Sequence, residues 1–332
     1  MRRLGVVIAG VWVLLAALAP WVAPYDASVQ HRGRAYAPPT SLRLLTADGR
    51  LAGLHFHPVR LVSALERRFE EDSTHRVEVR WFVRGRLFGS SDPDEPILVL
   101  GADGLGRDVF SRLTAGARTS LALALIAATL ATMIGVVIGL IAGAAGGALD
   151  GALSRLSELV LVLPALYVVV ALRATLPVVL SPTTVFVLLT TIFAMVAWPV
   201  AARGVRAIVR SERLQGYVEA AWAAGARRRR VLFRHLLPAA RGYAWTQFAL
   251  LVPSCLLFEG ALSFAGLGFT EDAATWGTML QEAGNIGALA NAPWLLAPAV
   301  AIVTVVLAVN LLIDTAAPGR GTGPHARLPL VR

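Results

Sequence analysis

Six stretches of this chain are apolar over the length needed to cross a lipid bilayer. That restricts the fold more than any other feature. A hydrocarbon core about 30 Å thick takes about 20 residues of helix. Residues 4–24, 119–145, 157–180, 183–203, 241–264 and 293–315 reach that length. In lipid, only a helix or a closed barrel pairs every backbone N–H and C=O. The expectation is therefore an all-α polytopic membrane protein with six transmembrane helices. The third stretch is interrupted by Pro164, Arg173 and Pro177, so its ends are the least sharply defined.

Charge placement sets an expected topology. Ten arginines and only two acids, Glu212 and Glu219, lie between residues 203 and 241. Short loops this basic stay in the cytoplasm. Counting outward puts both termini inside, with Arg2 and Arg3 at one end and Arg320, Arg327 and Arg332 at the other. Met1-Arg2-Arg3 before an apolar run and Ala17-Leu18-Ala19 resemble a cleavable leader. Pro20 and Pro24 follow the two candidate cleavage sites, so a retained anchor is the better reading. The segment from 25 to 118 then falls outside. Its alternation at Val77, Val79, Trp81 and Val83 before Arg84-Gly85-Arg86 predicts a β-hairpin. Pro38-Pro39 and Asp48-Gly49 read as further turns of a small β-rich insert.

All 31 basic residues are arginine. Without lysine the chain lacks the P-loop amine that holds nucleotide phosphates, and it lacks a Schiff-base amine. It is not its own Walker-type ATPase. A net charge of +10 is explained by membrane topology rather than by binding to nucleic acid or to an anionic lipid surface. The single cysteine, Cys255, lies in an apolar run and reads as packing. His55 and His57 would share one side of a strand, yet with no further ligands nearby they read as solvated, and no metal site is expected. No Ser/His/Asp or Cys/His arrangement can be defended.

The basic segment carries the most specific motif: Glu219-Ala220-Ala221, then Gly225, then Leu236-Leu237-Pro238. Residues 217–224 form a slim, alanine-rich helical run. Gly225 suits a left-handed helix end, and Pro238 suits the first turn of a new helix. The local reading is a short helix, a sharp break, a basic helix and re-entry to the membrane. The alternative is an ordinary amphipathic interfacial helix. The motif resembles the "EAA" loop of ABC importer permeases. A second block, Leu100 to Arg112 continuing through Gly116-Ala117-Arg118-Thr119-Ser120-Leu121, is similar to the GTDxxGRDxxSRxxxGARxSL signature of the dipeptide/oligopeptide branch, C-type subunit. Ala102 stands where threonine is usual. Within it Asp103, Gly106, Arg107, Asp108 and Arg112 allow a tight turn and ion pairs at the membrane edge.

Further along, Gly135, Gly139 and Gly143 form a double GxxxG ridge for close helix packing, within the subunit or against a partner. Asp150, Arg155 and Glu158 follow in the turn after it, and Arg155 and Glu158 are spaced to pair on one helix face. Glu259 precedes Gly260 to Gly268, similar to the branch's LLEASLSFLGLG. A carboxylate at membrane depth faces a cavity or a partner, so Glu259 either lines a pathway or is a buried hydrogen-bonding group. Arg173 and Asp314 sit near helix ends, where they can snorkel. Residues 310–314 also fit the branch, whose usual ending is lost beyond them.

The resemblance covers about residues 96–316 and the first helix and leaves the insert poorly matched. It implies a MetI-like type I ABC importer permease fold divided as follows: helix 1–24; extracytoplasmic insert 25–100; permease domain 101–316 with a cytoplasmic coupling loop at 204–240; and tail 317–332. It further implies a heterodimer with a homologous second permease subunit and two ABC ATPase subunits that use ATP and Mg, none of it bound by this chain. An extracytoplasmic substrate-binding protein and the cytoplasmic (inner) membrane of a bacterium or archaeon complete the picture. Di- or oligopeptides are the branch's commonest cargo, with nickel, glutathione and sugars as alternatives. Rival classes are a membrane enzyme acting through the insert and an ion-coupled transporter. The latter would show inverted repeats, and none is evident.

Overall fold

A computed structural model describes residues 1–45, 51–63, 67–83, 85–175 and 180–314. Helix α1 (Arg2–Val22) leads into a β-rich segment, β1 (Arg43–Leu45), β2 (Leu51–Phe56), β3 (Val59–Ser63), β4 (Arg68–Glu71), β5 (Val77–Val83) and β6 (Arg86–Ser90). The strands form a four-stranded antiparallel sheet, β1-β2-β5-β6, and a separate β3-β4 hairpin. The expected 75–88 hairpin is β5–β6, turning at Gly85 with φ +79°. Pro38-Pro39 is not a turn; the chain turns at residues 32–33 and 35–36 instead. Asp48-Gly49 and Arg84 lie outside the described residues. His55 is buried and its Nδ1 lies 2.9 Å from the Gly53 carbonyl, so it is a packed histidine rather than a solvated one. No cluster of three metal-binding side chains occurs among the described residues.

The regular elements that follow are helices: α2 (Val109–Ala145), α3 (Gly147–Val162), α4 (Ala165–Thr175), α5 (Pro182–Glu212), α6 (Gly216–Ala223), α7 (Arg228–Val231), α8 (Leu237–Phe264), α9 (Trp276–Ala283), α10 (Ile286–Asn291) and α11 (Ala297–Asp314). Among the described residues, five helical stretches are long and apolar enough to span a membrane: Arg2–Val22, Val109–Ala145, Pro182–Glu212, Arg228–Phe264 and Pro293–Ile313. The expected third span, 157–180, is instead the end of α3, a break, and α4. Pro164 has no N–H to donate and pushes Leu163 to an extended φ −73°, ψ 113°, so the helix stops there. The side chains of Arg173 and Asp314 and the residue Pro177 lie outside what is described.

Two spans run further than their apolar stretches. α2 starts ten residues earlier than expected at Val109, capped by Asp108, and α5 continues through the arginines to Glu212. Helix propensity explains the second extension, since arginine is among the better helix formers. The glycine ridge is the seam between these two helices. A Cβ on Gly135 would lie 2.7 Å from the Trp198 carbonyl oxygen. On Gly139 it would lie 2.5 Å from that of Ala202, and on Gly143 2.9 Å from that of Arg206. The ridge therefore serves packing within the subunit. The main apolar core gathers α2, α5, α8, α9 and α11 around fully buried Trp276. α1 packs on α11, where a Cβ on Gly5 would meet the Ala308 carbonyl at 3.0 Å, and Trp12 Nε1 donates to Thr304 Oγ1 at 3.0 Å.

Candidate functional site

The Glu219–Pro238 segment folds from a short helix upward. α6 starts after Gln215 and carries Glu219 in its first turn, where a carboxylate favours the helix dipole. It ends in a Schellman turn: Ala226 N–H donates to the Ala221 carbonyl at 3.0 Å and Gly225 N–H to the Trp222 carbonyl at 2.9 Å. Gly225 has φ +78°, which explains glycine there. One residue pins α6 to the bundle. Val218, 0% exposed, packs with Leu140 of α2, Val205 and Val209 of α5, Val231 and Leu236. Glu219 and Ala220 face outward and Ala221 is half-buried. Leu214, Tyr217, Trp222 and Phe233 are also exposed, giving the segment an apolar outer face. Beside it a cleft of about 600 Å³ opens between Ile141, Trp222, Leu232, Arg213 and Arg228.

Pro238 does not begin a separate helix. Residues 228–264 run continuously, with one π-turn at Leu232–Leu236 and Leu237 N–H donating five residues back to the Leu232 carbonyl. The cause is local. Pro238 cannot donate to the Arg234 carbonyl, so the bonding register widens over the turn before it. Leu236 is buried, Leu237 half-buried and Pro238 exposed.

Asp150 and Arg206 fasten this end of the bundle. Both guanidinium nitrogens Nε and Nη2 reach the Asp150 carboxylate, the latter at 2.8 Å, and hold it below the usual carboxylate range. Arg213 Nη1 donates to the Ala144 carbonyl at 2.9 Å and so caps the end of α2. The expected Arg155–Glu158 pair is not among the ion pairs of the described residues; Asp150 reaches across to α5 instead. The signal for the α5 contacts was the three-to-four spacing of Arg203, Arg206, Arg210 and Arg213, read only as topology. Val218 carried no signal that set it apart from its neighbours.

At the opposite end of α2, Gly101 to Arg112 folds back on itself. Gly106, φ +75°, passes so close to the His31 carbonyl that no side chain fits. Asp103 is the hub, accepting from Arg107 Nε at 2.6 Å, lying 3.5 Å from Arg112 Nε, and accepting from the Arg107 and Leu105 N–H groups. Arg107 and Arg112 also reach Glu271 of the loop before α9, a partner that no local pattern singles out. Asp108 does not join the ion pairs. It caps α2, accepting from Ser111 N–H at 2.8 Å and Ser111 Oγ at 2.6 Å. Glu282 accepts from Gly104 N–H; burial, then the nearby Asp103 carboxylate, raise its proton affinity. Asp103→Ala would leave two buried guanidinium groups short of their anion, a loss of about 3–5 kcal/mol. The expected readout is a much lower thermal midpoint for the purified protein than for Asp103→Asn, which keeps the acceptor oxygen.

Glu259 is 0% exposed in α8 and accepts from Ser120 Oγ of α2 at 3.0 Å and Ser263 Oγ at 2.9 Å. Ser120 Oγ in turn accepts from Trp276 N–H of α9 at 3.1 Å. Three elements meet at this carboxylate. Glu259→Leu, which strands the serine hydroxyls, is expected to cost about 1–3 kcal/mol of stability. Glu259→Gln, able to pair both, is expected to lie near the parent in a thermal melt.

Residues 135–318 match the family described as binding-protein-dependent transport system inner membrane component. A putative peptide permease of Brucella ovis is 36% identical over 215 residues, 64% of this chain and 69% of the relative. The di/tripeptide transport system permease protein DppC of Pseudomonas aeruginosa is 30% identical over 303 residues, 91% and 81% of the two chains. The oligopeptide transport system permease protein OppC of Escherichia coli is 37% identical over 231 residues, 68% and 72%. Among solved structures, an inward-facing MetNI methionine ABC transporter aligns with a TM-score of 0.46 at 18% identity over 62% of this chain and 96% of that one. The family match takes in more than half of the chain, and it agrees with a bundle of long apolar helices joined through an exposed short helix. This membrane protein belongs to the family of binding-protein-dependent transport system inner membrane components.

Proposed function

We propose that the chain forms one half of the translocation pathway of an ATP-driven importer for di- or oligopeptides, and that α6 is its coupling helix to a separate ATPase. The observation that carries the coupling role is α6 itself. It is a short helix with an apolar outer face of Tyr217 and Trp222, fixed from behind by Val218 and from its end by Gly225. An exposed apolar face of this kind is what a protein partner covers. The arginines around it support a cytoplasmic position, with both termini on that side and the β-rich insert outside.

Transport then works by alternating access, a two-state equilibrium that ligands bias. Two ATPase subunits close on ATP and carry the coupling helices with them, while this chain binds neither ATP nor Mg itself. A homologous second permease supplies the other half of the pathway, and an external binding protein delivers cargo. Peptide as cargo rests on the relatives, each named for peptide transport.

Tagging the chain, extracting it gently from its native membrane and identifying what co-purifies tests this reading. A second permease and one or two ATPases are expected, and the associated binding protein can then be screened against peptides, nickel, glutathione and sugars. Recovery of the chain alone, or as a homodimer without any ATPase, would remove the coupling role and bring the insert forward as the working part.

A further inference from the structure

The tip of the β5–β6 hairpin exposes aromatic surface where a soluble insert has no use for it. Phe82 is 80% exposed and Trp81 58%. Phe82 also holds φ +56°, a left-handed conformation that a bulky residue adopts only under constraint. Leu87, between Arg86 and Phe88 and across the hairpin from Phe82, is exposed as well. Three apolar side chains thus crowd the turn end of a two-stranded ribbon.

The position of that turn identifies what covers them. Arg86 Nη1 donates to the Ala23 carbonyl at 2.8 Å, which ties the start of β6 to the C-terminal end of α1. α1 has 21 residues, so it rises about 31 Å, the thickness of the hydrocarbon core. Ala23 therefore lies at a membrane–water boundary, and the hairpin turn lies at the same level. The outer side of α1 is open along its length at Val6, Val13 and Leu14 and ends in Trp21, 58% exposed. Tryptophan beside arginine at that depth is the chemistry of an interfacial belt, and an exposed phenylalanine next to it supplies the apolar face of an interfacial segment.

We propose that this hairpin tip is a membrane anchor, with Trp81 and Phe82 seated in the headgroup region of the leaflet at the C-terminal end of α1, beside Trp21. The anchor holds the β-rich insert down against the bilayer. Arg86, occupied by the Ala23 carbonyl, sets the height of the hairpin, while exposed Arg80 presents a guanidinium to lipid phosphate. The inference rests on α1 spanning the membrane and is independent of cargo or ATPase.

The test uses the full chain in phospholipid nanodiscs, with a cysteine introduced by Phe82→Cys or, separately, Ser73→Cys, and labelled with an environment-sensitive NBD fluorophore. Ser73 lies in the turn before β5, about 20 Å or more from the tip. Native Cys255 is buried, and the parent chain supplies the background. At Phe82→Cys the emission is expected to be blue-shifted, quenched by nitroxide-labelled lipid, and several-fold less quenched by iodide than at Ser73→Cys. Equal iodide access at both positions would overturn the anchor. So would protection at Phe82→Cys only after the substrate-binding protein is added, which would make the tip a protein-docking surface. Both positions are exposed, so neither variant depends on refolding the insert.

Discussion

Replacing Gly225 with aspartate is expected to abolish ATP-driven uptake while the chain remains inserted in the membrane at its usual level. The separation of the two effects follows from the geometry. Gly225 stands at φ +78° with open space where a Cβ would be added. An L-residue there loses about 1–2 kcal/mol to backbone strain, and asparagine or aspartate tolerates the conformation better than most. That is too little to unfold a helical bundle whose anchor, Val218, is untouched. A carboxylate at the edge of the apolar face of Tyr217 and Trp222, in contrast, must be desolvated when a partner closes over it, at several kcal/mol if unpaired. Deleting residues 219–225 should have the same outcome by removing Trp222 and most of the outer face itself, with Val218 still in place. Immunoblots of the membrane fraction and uptake of the cargo in the same cells provide the two readings. Gly225→Ala, which strains the turn without adding charge, should retain part of the activity. Normal ATP-driven uptake by Gly225→Asp would overturn the coupling assignment.

The second large effect is expected at Gly139. An added Cβ would come within 2.5 Å of the Ala202 carbonyl oxygen and 2.9 Å of Val205 Cβ. The first of these is backbone, so no rotamer change relieves it, and α2 and α5 must move apart along the seam. Gly139→Leu should cost about 3 kcal/mol or more, at the upper end for overpacked cores. The readout is loss of monodisperse protein after detergent extraction, with a lowered thermal midpoint in what remains. Gly151 is the matched control. It lies inside α3 with nothing near a prospective Cβ, so Gly151→Ala should gain the helix propensity difference of about 0.5–1 kcal/mol. Equal behaviour of the two variants would show that the ridge is not a close seam.

What was legible in the chain depended on whether the signal was local. The left-handed Gly225 and the β5–β6 hairpin are set by neighbouring residues and lie where the local pattern puts them, whereas the glycine spacing marks a packing ridge without naming α5 as what it packs on. Helix ends were less legible because hydropathy marks where lipid begins, whereas the helix continues as long as backbone bonds and arginine-rich surface allow. That is why α5 runs to Glu212 and α2 starts at Val109. Pro238 in isolation reads as a start signal, and only the continuous helix around it makes the same residue the cause of a π-turn. The roles of Asp108 and Asp103 differ for a reason the spacing could not carry. Asp108 is consumed as a helix cap, leaving Asp103 to hold both arginines. Glu271 and Glu282 joined that cluster from more than 150 residues away, and no local pattern foreshadows such a contact.

The measurement closest to the central claim is a cross-link from α6. Ala220 is exposed on that helix, and Cys255 is buried, so Ala220→Cys provides a single reactive position. In the assembled complex, a short bifunctional reagent placed there is expected to capture an ATPase subunit, with a yield that changes between the nucleotide-free and ATP-bound states. Capture of the external binding protein, or no capture of any ATPase from a complex that transports normally, would contradict the coupling role of α6.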